Sequence, residues 1–208
     1  MSIANYADLK ASVAAWLNRT DLTAVIPDFI TLAEAYLSRE LKTREQMVAA
    51  TLTTVAGVSA VALPDDFGAA RRVTVQTSPK VVLRATTVQD VDAKYTLSVT
   101  GVPRAFAVAG SNLQLGPAPD AAYAIELLYY ARLPALSEDA DTNWLLSRHP
   151  DAYLYATLIQ AAPYLGEDNR VGVWSTLLQA VTSSIEADNT LSEWSAGSAS
   201  MPDLQAAP

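Results

Sequence analysis

Along the chain the spacing of apolar positions changes twice, and each change marks a boundary. Tyr6, Leu9, Val13, Trp16 and Leu17 recur at the three-and-four spacing of one helix face. That helix should stop at the polar run from residue 18 to 21. Pro27 sits where a second, longer helix can begin, since its missing N–H costs nothing in a first turn, and Asp28 adds a favourable charge there. Ile30, Ala33, Leu37 and Leu41 form its stripe. The two helices are predicted to pack as a hairpin, with Arg39, Glu40, Lys42, Arg44 and Glu45 as a solvated face.

The helical spacing then disappears. Residues 48–55 and 58–63 are rich in Val, Thr and Ala, and Ala56-Gly57 between them reads as a tight hairpin turn. A second hairpin is predicted from 71–76 and 80–84 around Thr77, Ser78 and Pro79. Thr86 or Thr87 can cap a short helix over 87–95, with Asp90 near its N-terminus. Strands at 104–109 and 112–115 are joined by Gly110-Ser111, and 123–132 is dense in β-formers. The middle of the chain reads as a small, mostly antiparallel β-domain between helical ends.

Helical spacing returns at 141–165. Thr142 or Asn143 can cap a turn carrying Trp144, Leu145 and Leu146, and Pro150 can open a helix with Leu154, Leu158, Ala161, Ala162 and Leu165 on one face. Tyr153, Tyr155 and Tyr164 surround that face, so little of the circumference suits water. This segment is the expected hub of the fold. Gly166 can close it and Asp168 can open a last helix with Val171, Trp174, Leu178, Val181 and Ile185 as its stripe. Residues 190–208, rich in Ser, Ala and Pro and without a period, read as a flexible tail carrying Leu191, Trp194, Met201 and Leu204. The expected class is α+β: a helical bundle of about four main helices, two N-terminal and two C-terminal, with an inserted small antiparallel β-domain and a flexible C-terminal tail. The predicted divisions are 1–45, 46–135, 136–189 and 190–208.

Composition narrows the chemistry. Half of the 208 residues are apolar, enough to bury a core, and the absence of cysteine removes disulfides and thiolate metal sites. The net charge of −8 is uneven. Residues 1–38 hold two basic and four acidic residues, 39–104 nine and six, and 120–208 three and twelve. Such a chain repels phosphate backbones at long range, which argues against tight nucleic-acid binding while leaving room for a local basic patch in the middle. The N-terminus lacks the pattern of a signal peptide, and no run of about 18 apolar residues exists. Action in the cytosol or inside an assembled particle is expected, with no membrane partner.

The sequence offers little to catalysis. His149, the one histidine, stands beside Pro150 at a helix start, a place for capping or packing. No G-x-S-x-G elbow, phosphate-binding G-x-x-x-x-G-K-[ST] loop or G-x-G-x-x-G turn is present. Asp65-Asp66 and Asp90 with Asp92 could bind a hard cation or serve a small hydrolase, but Asp is favoured in turns and caps on backbone grounds. The segment 116–120 contains Pro117 and Pro119, which remove the N–H groups a phosphate cradle needs. No catalytic, cofactor-binding or metal-ligating residue is assigned, and no cofactor is expected.

A longer succession of residues carries a resemblance. Leu63-Pro64-Asp65-Asp66-Phe67 is followed by Gly101-Val102-Pro103-Arg104 and by Leu113-Gln114-Leu115-Gly116-Pro117-Ala118-Pro119. Then come Leu127-Leu128-Tyr129-Tyr130-Ala131-Arg132, Thr142-Asn143-Trp144-Leu145-Leu146, Tyr153-Leu154-Tyr155 and Ala161-Ala162-Pro163-Tyr164-Leu165. In this order, over about residues 26 to 178, they resemble tailed-bacteriophage head-to-tail adaptor proteins, also called connector or neck proteins. Each piece alone is unremarkable; the ordering is what is specific.

The resemblance implies a non-enzymatic virion protein at the neck, made in the host cytoplasm. It implies a homo-oligomeric ring, a dodecamer, beneath the portal protein that extends the DNA channel and offers a platform to the tail or to a nozzle or stopper protein. Double-stranded DNA passes through such a channel without specific binding. In similar adaptors the C-terminal region docks on the portal, which points here to Leu191, Trp194, Met201 and Leu204. Arg71, Arg72, Lys80 and Arg84 on the β-hairpins are the expected subunit or tail contacts. The rival reading is a non-viral bacterial protein-interaction module without catalytic activity.

Overall fold

The structure, a computed structural model, describes residues 3–95, 99–166 and 169–196, with side chains as far as Thr190. The chain divides into two compact units: Met1–Thr43 with Leu133–Pro208, and Arg44–Arg132.

The first unit is helical. Helix α1, Tyr6–Leu17, is capped by Asn5, whose side chain accepts from the Asp8 N–H at 2.9 Å. It ends at Asn18, which adopts the left-handed conformation that Asn tolerates (φ 53°). Helix α2, Ile26–Glu40, starts with Pro27 in its first turn. Asn143 caps the short α4, Trp144–Arg148, and Pro150 opens α5, Pro150–Leu165. Helix α6 is Val171–Ala196. Helices α1, α2, α4 and α6 all pack on α5, which is the predicted hub. Ala152, Tyr153, Leu158 and Ala161 of α5 have no exposed surface, and Leu9, Leu37, Leu145 and Trp174 come from the helices around it.

The second unit is built of two four-stranded sheets. In the first, β1 (Met47–Thr53), β8 (Ala124–Ala131), β3 (Phe67–Val75) and β4 (Val81–Val82) lie in that order. In the second the order is β2 (Ala60–Ala62), β7 (Asn112–Gly116), β6 (Ala105–Ala109) and β5 (Arg84–Ala85). Val73, Val75, Ile125 and Leu127 of the first sheet join Val61, Phe106, Leu113 and Leu115 of the second in one buried cluster. Such a two-sheet core needs alternating inward residues, and β8 shows that alternation from Ala124 to Tyr130. Where β3 shifts register against β8, Gly68 leaves the room required: a Cβ there would stand 2.7 Å from the Tyr130 carbonyl oxygen. Helix α3, Val88–Lys94, is capped by Thr87 and packs on β6 and β7.

The expected class needs correction. The protein is a mixed α+β structure, with six α-helices and two four-stranded sheets among the described residues, and not a predominantly helical bundle with a small insert. The β region has a core of its own, and its strands, mostly predicted one by one, assemble into two sheets through long-range pairings that no local period reveals. The predicted hairpin around Ala56-Gly57 does not form as such. Only a Val55–Val58 bridge closes the turn. Thr54 then holds β1 beside β8, donating to the Ala121 carbonyl (3.0 Å) and accepting from Tyr123 N–H (2.7 Å), while Ser59 O accepts from Leu115 N–H and guides β2 to β7. The pairing of β5 with β6 is parallel. Trp16, assigned to a buried face, is 45% exposed and touches Tyr155 edge-on at 5.9 Å. Helix α6 runs past residue 189 to Ala196, because no proline or glycine interrupts it before Gly197 and each added residue gains a backbone bond.

Candidate interaction surfaces

Three of the four carboxylates singled out by sequence, Asp66, Asp90 and Asp92, have structural duties. Asp66 accepts from the Tyr129 hydroxyl at 2.8 Å, and burial together with this bond pushes the phenol up to about 12. Asp90 accepts from Thr86 at 3.0 Å, and its N–H donates to Thr87 Oγ1 at 3.1 Å. The hydrogen bonds from Thr87 and Thr86 hold its carboxyl below the usual range. Asp92 accepts from Gln114 at 2.7 Å. Among the described residues no group of three or more His, Asp or Glu is close enough to hold a metal ion. His149 separates α4 from α5, and its carbonyl accepts from Ala152 N–H at 3.1 Å.

The helical unit contains a buried polar chain instead. Glu34 of α2 accepts from the Leu136 N–H at 2.9 Å and from the Tyr153 hydroxyl at 3.2 Å. Asn143 donates to that hydroxyl at 2.7 Å and to the Pro134 carbonyl at 2.8 Å, while its Oδ1 caps α4 through Leu146 N–H. Burial raises the Glu34 carboxyl and, more strongly, the Tyr153 phenol, although the two bonds to Glu34 oppose its shift. These groups join α2, α4 and α5 to the segment entering α4, which makes them a lock for the fold; none is open to a partner.

The four predicted contact residues of the β unit are all exposed, and the structure does not bring them together. Arg71 and Arg72 lie on β3 at a register shift, where Arg72 pairs with Glu126 of β8 at 3.2 Å. Lys80 stands in the turn leading to β4. Arg84 belongs to β5 in the other sheet. There it lines a groove of about 610 Å³ with Thr86, Asp90, Lys94, Tyr95 and Arg104. Lys94 and Arg104 escaped sequence reasoning because parallel pairing of β5 with β6 unites residues 20 positions apart, and no local spacing announces it.

On the helical unit, α6 carries two stripes. Trp174, Leu178 and Ile185 are buried, whereas Val173 and Leu177 are 59% and 37% exposed. Leu191 and Trp194 continue α6 in its backbone, but their side chains lie outside the described part, and Met201 and Leu204 lie outside the described residues altogether. No helix of the described residues is long and apolar enough to cross a membrane.

A family model described as SU10 adaptor protein matches residues 4–202. No curated protein matches the chain.

Proposed function

We infer, because the chain belongs to the SU10 adaptor protein family, that it forms a ring beneath the portal of a tailed phage, extends the DNA channel and gives the tail its attachment platform. Membership makes it a phage adaptor with a structural role, as the ordered motifs implied. The single observation that carries the finer reading is the reach of the match. It spans both the helical and the β unit, so neither is an unrelated addition.

The ring, a dodecamer by resemblance, needs two different faces on each subunit, and two compact units of different composition supply them. The portal-side contact is assigned to Leu191, Trp194, Met201 and Leu204, as the resemblance implies. Arg71, Lys80 and Arg84, with Arg72 beside its Glu126 partner, face neighbouring subunits or the tail-side component. The acidic balance of the chain suits a channel wall that DNA passes without sticking. The protein is made in the host cytoplasm and resides in the virion neck.

Affinity capture of the tagged full chain from phage-producing cells, with partners identified by mass spectrometry, tests this reading. Portal and tail components are expected in the eluate. Recovery of host proteins alone contradicts it. In the same assay, Leu191→Ser with Trp194→Ser should release the portal while leaving the thermal midpoint unchanged.

A further inference from the structure

Charge divides the chain along its structural boundary. The helical unit holds six basic and fifteen acidic residues, the β unit eight and seven. Three of the eight basic side chains of the β unit, Arg84, Lys94 and Arg104, line one groove. Backbone pairing sets the two arginines side by side, since Arg84 N–H donates to the Arg104 carbonyl at 2.9 Å. Lys94, from the last turn of α3, completes the rim with its ammonium 5.6 Å over the Tyr95 ring. All three are exposed, and Asp90, the one carboxylate in the groove, is already bonded to Thr86. Three cations around one engaged carboxylate leave a local positive excess in a chain of net charge −8.

The helical unit presents a rigid acidic knob. Asp141 accepts from Ser137 N–H (2.8 Å), Ser137 Oγ (3.0 Å) and Glu138 N–H (2.7 Å), which closes the turn before α4. The carbonyls of Asp141 and Asp139 accept from Tyr6 and Ala7 N–H at 2.9 and 3.1 Å, anchoring that turn to the start of α1. Glu138 and Asp139 project at its tip, and the Asp139 side chain is 78% exposed even while Lys10 pairs with it. Four internal bonds, including Asp141 N–H to the Glu138 carbonyl at 2.8 Å, and two anchors fix the knob before any partner arrives, so little ordering entropy opposes its docking.

We propose that the Arg84–Lys94–Arg104 groove of one copy receives the Glu138–Asp139 knob of a second copy, a head-to-tail contact of the kind that closes rings. The occupant is a protein carboxylate and not a nucleic acid. A phosphate backbone asks for cations tracking along a strand, whereas here they surround one recess with Asp90 inside and Asp92 on the same short helix. This contact rests on the ring reading given above.

Carbodiimide, which joins an ion-paired lysine and carboxylate by an amide, tests it on necks assembled from the full chain in phage-producing cells. The expected product is a denaturation-resistant dimer of this 22.2 kDa chain containing a Lys94–Glu138 link. The dimer should vanish with Lys94→Gln and with Glu138→Gln. Arg104→Glu should cut the yield of complete necks about tenfold, and adding Glu138→Arg should restore it, while both variants keep the wild-type thermal midpoint. A dimer joined elsewhere overturns the contact and leaves the ring standing. Lys94 linked to a portal or tail protein, or captured by DNA under formaldehyde, also overturns it. One copy per neck removes the ring and this contact together.

Discussion

At the centre of the helical unit a carboxylate, a phenol and an amide lie in contact, whereas the β unit fills its centre with Val73, Val75, Leu113, Ile125 and Leu127, all fully buried. The difference is one of tolerance. An apolar two-sheet core accepts any packing that keeps volume and alternation, but the Glu34–Tyr153–Asn143 chain is satisfied only when α2, α4 and α5 meet in one arrangement. The surfaces differ in parallel: strongly acidic on the helical unit, nearly balanced on the β unit, three of whose cations line one groove. Specificity of the helical fold therefore lies in its interior, and that of the β unit in its surface.

The largest effect is expected from Tyr153→Ala. It deletes a side chain with no exposed surface and leaves Glu34 and Asn143 each short of a partner, so a loss of about 4 kcal/mol is expected. Hydrogen exchange should show the loss in α2, α4 and α5, with the strands of the β unit still protected. Equal loss in both units would show that they share one cooperative core. Gly116→Ala is the converse probe. Its Cβ would fall 2.4 and 2.9 Å from two carbons of the Tyr95 ring and 3.0 Å from Val91, so Tyr95 must move and about 1–3 kcal/mol should be lost from the β unit alone. Tyr95→Ala in the same chain should recover part of the loss; no recovery points to a cause other than this clash.

The smallest expected effect is a slope. Because burial raises the Glu34 carboxyl, the native state holds that proton more tightly than the unfolded state does. The resulting stability is complete below the ordinary carboxyl value of 4.5 and is lost as pH rises through the raised native value. Glu34→Gln keeps an acceptor for Leu136 N–H and Tyr153 and removes the titration. Urea midpoints followed from below 4.5 to neutral pH should fall for the wild type relative to the variant; parallel curves would exclude a shifted Glu34.

Helix spacing was readable wherever one face is buried for several turns. Leu154, Leu158 and Ala161 gave α5, and the caps at Thr87 and Asn143 stand where polar residues precede apolar runs. The failures share a cause in long-range pairing. Ala56-Gly57 does form a turn, yet nothing nearby says that β1 will pair with β8, some 70 to 80 positions on, and β2 with β7. The groove was hidden for the same reason, since Arg84 and Arg104 become neighbours only through the β5–β6 pair. The sequence places Tyr153 as a large ring beside the hub face, but its bond to Glu34 crosses 119 positions and belongs to no motif.

Electron cryomicroscopy of necks from intact virions tests most directly whether this chain forms the ring between portal and tail. A closed ring of copies of this chain is expected directly beneath the portal, both units resolved, with the DNA channel running through it. A neck whose density between portal and tail is filled by other proteins, with this chain absent or present outside the channel axis, contradicts it.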